Sequence, residues 1–488
     1  MRKILVASLT TLMAVALVTT GSTGAVGKTA KKTSKPKLSL SKIAPQQGGG
    51  EPSIAIGPEG TIYVAPPTLS KMLFFRSKNH GKTWTQGASP EGNVGDTTVT
   101  TDRSGAVYET NLNNISEVTP NDLQVDLFKS FNKGKTWPQK AQGPVITSNA
   151  SNMPLLVDRQ WVDSWIPPGK KSSQARLYMA YHDFVPSQIW VQSSTDGGKT
   201  FGPQVDVIND PVAEADSFCS TIPGGLKIVP SGPHAGRVYV AWLAADPLNA
   251  ATGCNLTQLQ AFHDIWVASS DDGGLTWTDH LVYDAGPLHD GSEIFADITL
   301  DNKGNPYVAF AMNIESEFDI WVEASFDGGN TWNGKSDGTG HPYKVNADKG
   351  THYFATIAAG DPGKVDVAYL DTPFIVPTTP YGKPQPAADQ SADWNLYFAQ
   401  SVNVRSGHPK WTNVRVTPKP MHHGDICTLG LFCSAVPGTN RDLLDFIDIA
   451  IDRYGLAHVA YTDDHNYKGG AFVAANQSGG TTVGPGGH

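Results

Sequence analysis

The feature that most narrows what this chain can fold into is a short turn that recurs along it. It reads SKNHGKTW (Ser77 to Trp84), SFNKGKTW (Ser130 to Trp137), STDGGKTF (Ser194 to Phe201), SDDGGLTW (Ser270 to Trp277) and SFDGGNTW (Ser325 to Trp332). A single acidic, glycine-rich stretch of this kind suggests a calcium loop. Near-copies at wide spacing suggest instead an array of equal supersecondary units. Asparagine stands in for aspartate in two copies, at Asn79 and Asn132, which favours a turn fastener over a metal site.

A second motif alternates with the first and reads as strand–turn–strand. Its clearest copies are PSIAIGPEGTIYVA from Pro52, TTVTTDRSGAVYET from Thr97 and ADITLDNKGNPYVA from Ala296. Looser copies start at Trp161, Leu226, Ala355 and Phe446. Fifty glycines, thirty-four prolines and few 3.6-residue periods point to an all-β chain. In each unit the strand–turn–strand motif supplies two strands and the recurring turn links a third to a fourth. Four-stranded units repeated radially make a β-propeller. The count is seven blades, with six the alternative if one divergent repeat is an insertion. The seventh unit runs out of chain after three strands, and KLSLSKIAP (Lys37 to Pro45) is the segment expected to supply its outer strand.

The recurring turn resembles the Asp box of the sialidase (BNR-repeat) superfamily, and the resemblance spans nearly the whole chain after its leader. The chemistry of the turn is intelligible without the family. Gly81, Gly134, Gly198, Gly274 and Gly329 permit positive φ, while Asp196, Asp272, Asp327 and the two asparagines accept bonds from their own turn's amides.

The flanks carry different information. MRKILVASLTTLMAVALVTTGSTGAVG, residues 1–27, has the basic start, apolar run and small-residue end of a secretory signal peptide. Residues 28–36 read as a basic disordered leader, 37–480 as a single propeller domain and 481–488 as a flexible tail. Removing the seven basic residues of the first 37 takes the net charge from −9 to −16. So acidic a body opposes binding to nucleic acid, and no later segment is apolar enough to span a membrane. The expected protein is secreted, extracellular and monomeric. Four cysteines in an oxidising compartment favour two disulfides. Nearest-neighbour pairing, Cys219 with Cys254 and Cys427 with Cys433, is expected among three connectivities.

In a propeller of this strand order, the repeated boxes and the turns of the strand–turn–strand motif share one face. The segments leading into each innermost strand, and those joining second to third strands, lie on the other. Binding sites over the channel favour that other face, an inference by fold analogy. Aligning the motifs on their turn glycine places Glu51, Asp96, Arg159, Phe295, Phe354 and Phe446 at one equivalent position, the mouth of the innermost strand. Two residues on come Ser53, Thr98, Trp161, Asp297, Thr356 and Asp448. Acids there are costly to bury unpaired, so Asp297 and Asp448 are either mouth residues or bonded to a neighbouring blade's amides. The strand exits AYHDF, YLDTP and YTDDH add His182, Asp183 and Asp371, and HYF and RDLLDF add His352, Tyr353, Arg441 and Asp445.

Carboxylates mixed with aromatics and arginines suit carbohydrate. The resemblance implies a glycoside hydrolase, with sialidase the named activity. Asp158, Asp183, Glu293, Asp371 and Asp445 form the pool for acid and base or nucleophile. Glu51, Asp96, Arg159, His182, Asp297, His352, Tyr353, Arg441 and Asp448 form the substrate-binding set. The chain departs from working sialidases, which need an Arg-Ile-Pro motif and three convergent arginines. Here STIP and WIPP lack the arginine, and only Arg159 and Arg441 map to the mouth. The catalytic residues of sialidases are therefore not carried over. Two other readings stand beside hydrolysis. One is a polysaccharide lyase drawing on His352, Tyr353, His182 and Arg441; the other is a non-catalytic propeller that binds glycan or protein. No cofactor is expected, with calcium at the Asp-rich mouth the possible exception.

Overall fold

The computed structural model describes residues 33–68, 71–90, 95–114, 123–142, 157–183, 188–245, 261–292, 294–376, 391–430, 433 and 439–486. Contacts divide the chain into two units, Met1–Ser34 and Lys35–His488, and the second is a β-propeller. Its seven antiparallel sheets are the blades. Six are four-stranded, and blade 6 has a fifth short strand, His422–His423, beside its third. The innermost strands, in order, are Ser53–Ile56, Thr97–Thr101, Val157–Trp165, Ser220–Ile228, Asp297–Leu300, Thr351–Ala359 and Asp448–Ile451.

Second strands such as VYVAWLAA (Val238–Ala245) and PYVAFAM (Pro306–Met312) are apolar from end to end and buried throughout. Continuous apolar runs arise because each blade is covered by a neighbour on both faces, so no side of its middle strands meets water.

The recurring turns share one hydrogen-bond pattern. The glycine amide donates to the serine hydroxyl at 2.8–3.0 Å in all five, as from Gly274 to Ser270 and from Gly329 to Ser325. That hydroxyl donates to the Asp or Asn side chain, which also accepts the threonine amide. Although burial alone would raise Asp272, the Thr276 hydroxyl and amide, the Ser270 hydroxyl and the Leu275 amide hold it down to about 2. The acid therefore stays ionised and engaged by its own turn.

Closure follows the expected route. Lys37–Pro45 pairs antiparallel with Ala471–Gly479 and becomes the outer strand of blade 7. Ile43 and Ala44 enter one apolar cluster with Ile54 and Ile56 of blade 1 and with Phe472 and Ala474 of blade 7. The segment expected as a flexible tail, from residue 481, is described as far as residue 486. Val483 is fully buried, and its carbonyl accepts the Asp361 amide at 2.8 Å, because the turns of blades 6 and 7 leave an apolar slot that the chain end fills.

Cys427 and Cys433 form a disulfide. Cys219 is also disulfide-bonded; its expected partner, Cys254, lies outside the described residues. Among the described residues no helix is long and apolar enough to cross a membrane.

Candidate functional site

The channel mouth is built where the chain leaves ordinary strand geometry. Gly50 passes so close to the chain before blade 7 that a Cβ there would lie 2.4 Å from the Leu443 carbonyl oxygen. Only glycine permits that approach. The next residue, Glu51, takes φ +49°, a region that costs a non-glycine residue on the order of 1–3 kcal/mol. The turn sends its carboxyl across the seam of the ring, where Oε1 accepts the Asp445 backbone amide at 2.9 Å.

A bulge does the equivalent work on blade 3. Asp158 pairs with His182 and Trp161 with Ala180, which leaves Arg159 and Gln160 outside the ladder. Arg159 adopts φ +41°, and its side chain is 1% exposed. Its Nη1 lies 3.6 Å from Glu51 Oε2 and 3.9 Å from Asp96 Oδ2. The guanidinium carbon stands 4.1 Å from the centre of the Phe446 ring, 4.3 Å from Trp161 and 5.9 Å from Phe295. Those three rings also touch one another, so aromatic side chains from blades 3, 5 and 7 converge around the cation. An aromatic, water-poor setting strengthens each charge interaction made there.

The acids complete the cluster. Arg441 grips Asp445 with both terminal nitrogens, Nη2 to Oδ2 at 2.8 Å and Nη1 to Oδ1. Asp158 accepts the Arg159 amide at 2.9 Å, and its carboxyl meets that of Asp96 in hydrogen-bonding contact. Burial first, and then the charge of Asp96, push Asp158 well above the usual carboxylate range. Burial likewise raises Glu51, with Asp96 and Asp445 adding to the shift and Arg159 and Arg441 opposing it. The mouth thus presents a carboxyl pushed toward its protonated form, an acid gripped by an arginine and a second, buried guanidinium. Such a set can donate a proton at one point and supply a carboxylate at another.

Six residues expected at the mouth meet there: Glu51, Asp96, Asp158, Arg159, Arg441 and Asp445. Others are engaged elsewhere. Asp297 and Asp448 line the half of the channel nearer the recurring turns, a cavity of about 200 Å³. Asp297 accepts the Ile357 amide and the Thr356 hydroxyl at 2.8 Å each, and Asp448 accepts the Ile54 amide at 2.8 Å and the Ser53 hydroxyl at 3.2 Å. Of the two roles open to these acids, they occupy the one between blades, because the next blade's inner strand has an amide in need of an acceptor. Burial raises Asp297 to about 7 and also raises Asp448. Asp163, which the alignment did not single out, performs the same task by accepting the Ile228 amide and the Thr100 hydroxyl.

Asp183 accepts the Trp190 indole N–H at 2.9 Å and the Gln188 amide at 3.2 Å, and so fastens its own strand exit. His182 is buried, which lowers its imidazole to about 4. Tyr353 is wholly buried and stacked on Trp394 with ring centres 5.1 Å apart. His352 and Asp371 form a separate cluster with Asp348, Nε2 to Asp371 Oδ2 at 2.8 Å and to Asp348 Oδ1 at 3.5 Å. Burial alone would lower His352, but the carboxylates of Asp348 and Asp371 raise it to about 9. Glu293 lies outside the described residues.

Among the described residues, two groups bring three possible metal donors within 4.8 Å of one another: His263, Asp264 and Asp284, and Asp348, His352 and Asp371. At the mouth, where calcium was considered, Glu51 and Asp96 face Arg159 and Asp445 is paired with Arg441. Asp348 escaped the sequence reading. Its signal was its place four residues before His352, in a segment leading into an innermost strand. Trp161, Phe295 and Phe446 were aligned to the mouth from the sequence, yet their convergence on Arg159 was not foreseen.

No family model matches this chain. Its fold is similar to that of several solved structures at low identity. An ulvan lyase from a new polysaccharide lyase family is 13% identical, with a TM-score of 0.50 over 93% of this chain and 96% of its own. A Hadza microbial sialidase is 12% identical, with a TM-score of 0.42 over 86% and 73%. An α-L-arabinofuranosidase from Fusarium graminearum is 12% identical, with a TM-score of 0.44 over 79% and 99%. At 13% identity the likeness to the ulvan lyase bears on the fold alone.

Proposed function

We propose that this chain is an exported carbohydrate-active propeller that hydrolyses glycosidic bonds at the channel mouth, on the face opposite the recurring turns. The observation that carries the reading is the pairing of unlike acids there. Burial and Asp96 push Asp158 toward its protonated form, while Asp445 is gripped by Arg441. Glycoside hydrolysis needs one carboxyl to protonate the leaving oxygen and another to activate water or attack carbon. Asp158 is assigned the first role and Asp445 the second. Arg159, buried beside Glu51 and Asp96, offsets the negative charge that these acids bring. Residues 1–27 are assigned to export and the partner to a glycan, with calcium no part of the proposed reaction.

The lyase reading is less well supported by side-chain positions. Tyr353 and His182 are buried, and His352 is engaged by Asp348 and Asp371, whereas Arg441 is engaged by Asp445. The test is release of reducing sugar from a panel of neutral, uronate-bearing and sialylated oligosaccharides by the purified chain. Turnover lost in Asp158→Asn supports the hydrolase. Unsaturated products would assign a lyase instead, and glycan binding without turnover in a folded protein would assign a binding module.

A further inference from the structure

We propose that the chain holds a divalent cation at Asp348, His352 and Asp371, on blade 6, with zinc the ion its donors fit. The site is separate from the mouth acids and does not depend on their role.

The imidazole of His352 is oriented as a ligand. His352 and Asp371 are direct cross-strand partners on the first two strands of blade 6, and the His352 side chain is 0% exposed. Its Nδ1 lies 2.9 Å from the Phe318 carbonyl oxygen, which can only accept, so Nδ1 carries the hydrogen. A backbone carbonyl on the far ring nitrogen is the usual outer partner of a metal-binding histidine, because it fixes both tautomer and ring plane. Asp319 stands 3.6 Å from the same nitrogen and is itself held by Lys344 at 2.7 Å and Asn346 at 2.8 Å.

The opposite nitrogen, Nε2, points at two carboxylates. Asp371 Oδ2 is 2.8 Å away and Asp348 Oδ1 3.5 Å away. Nε2 and Asp371 Oδ2 are both buried and within ion-pair distance, yet they do not form a hydrogen bond of good geometry. A proton shared between them would lie near the line joining them. A metal ion sits off that line and draws donor atoms together without aligning them. Donors around a tetrahedral zinc with bonds of about 2.0–2.2 Å lie about 3.3–3.6 Å apart; Asp348 Oδ1 already stands at 3.5 Å from Nε2, and Asp371 Oδ2, at 2.8 Å, would draw back by about half an ångström to admit the ion. Asp348 is 47% exposed, which leaves the ion a way in and a fourth position for water.

The donor set selects the ion. One imidazole and two carboxylates in a three-ligand group suit zinc, whereas calcium takes six to eight oxygens. The ion would tie the segment leading into blade 6 to the first and second strands of that blade.

The test is calorimetric titration of zinc chloride into the full chain after chelator treatment, with thermal melting alongside. One zinc per chain at micromolar affinity or better is expected, with a melting point several degrees higher and no comparable response to calcium. Because Asp348 is partly exposed, Asp348→Ala should fold and bind zinc at least tenfold more weakly. His263→Ala, which removes the other three-donor group, should leave the stoichiometry at one. The proposal is overturned if the chelator-treated chain takes up no zinc. It is equally overturned if Asp348→Ala binds as tightly as the parent, or if His263→Ala is the variant that loses the ion.

Discussion

Glu51 and Asp445 stand 394 residues apart in the chain, yet the Asp445 amide donates to Glu51 Oε1 at 2.9 Å. The candidate site and the seam of the ring therefore share one hydrogen bond. Burial, with Asp96 and Asp445 adding to it, raises Glu51 well above the usual carboxylate range, which favours a neutral acceptor at the seam. Glu51→Gln keeps that acceptor and is expected to change unfolding stability by less than about 1 kcal/mol. Glu51→Ala strands a buried donor and should cost about 1–3 kcal/mol. Denaturant unfolding of the two variants decides; equal losses would mean that charge, not the hydrogen bond, carries the effect.

Asp158 sets an expectation for the rate. A general acid must be protonated, so turnover should fall as pH rises through the elevated Asp158 pKa. Asp158→Asn should lower kcat by about 10²–10⁴-fold and abolish the alkaline limb. A variant that retains the parent's pH profile would remove Asp158 from the reaction.

Buried acids also make stability depend on pH. Burial raises Asp297 to about 7 and Asp366 to about 8, both above the unfolded value. A group of this kind contributes fully below its unfolded pKa, and the contribution is lost as pH rises through the folded pKa. The chain should therefore lose stability between about pH 4 and pH 8 as these groups are forced to ionise. Asp196 and Asp272, held down to about 2 by their turns, act oppositely and lose their contribution as pH falls from about 4 through 2. Unfolding measured at pH 5 and pH 8.5 should show a shallower decline in Asp297→Asn than in the parent.

The closing strand offers a mutational test of the ring. Ile43 is buried with Ile54, Val64 and Phe472, side chains from the first and last blades. Ile43→Ala should cost about 2–5 kcal/mol, as for other large aliphatic truncations in a core. A loss below about 1 kcal/mol in chemical unfolding would show that the outer strand adds little to closure.

Much of the architecture was legible because it rests on local chemistry repeated in register. Ser270, Asp272, Gly274 and Thr276 satisfy one another within a single turn, so the same letters specify the same hairpin wherever they recur. Repetition then set the blade register, and the register identified Lys37–Pro45 as the missing strand. The same alignment brought Glu51, Asp96 and Arg159 to one mouth, since equivalent positions in a radial array converge on its axis.

What sequence alone determined was thus the repeating unit and the ring of positions facing the channel, while the folded ring settled seven blades over six. Tertiary structure decided which of those positions share charge and which are spent on fastening. Asp297 and Asp158 look alike as acids on inner strands, but one meets an orphan amide of the next blade and the other meets Asp96 and the bulge at Arg159. Asp348, His352 and Asp371 likewise form a cluster only because two strands and a loop meet at one end of blade 6. Turn chemistry acts over a few residues and can be read from them. Burial and charge coupling act across blades that the chain order separates by tens to hundreds of residues, and only the folded ring sets their distances.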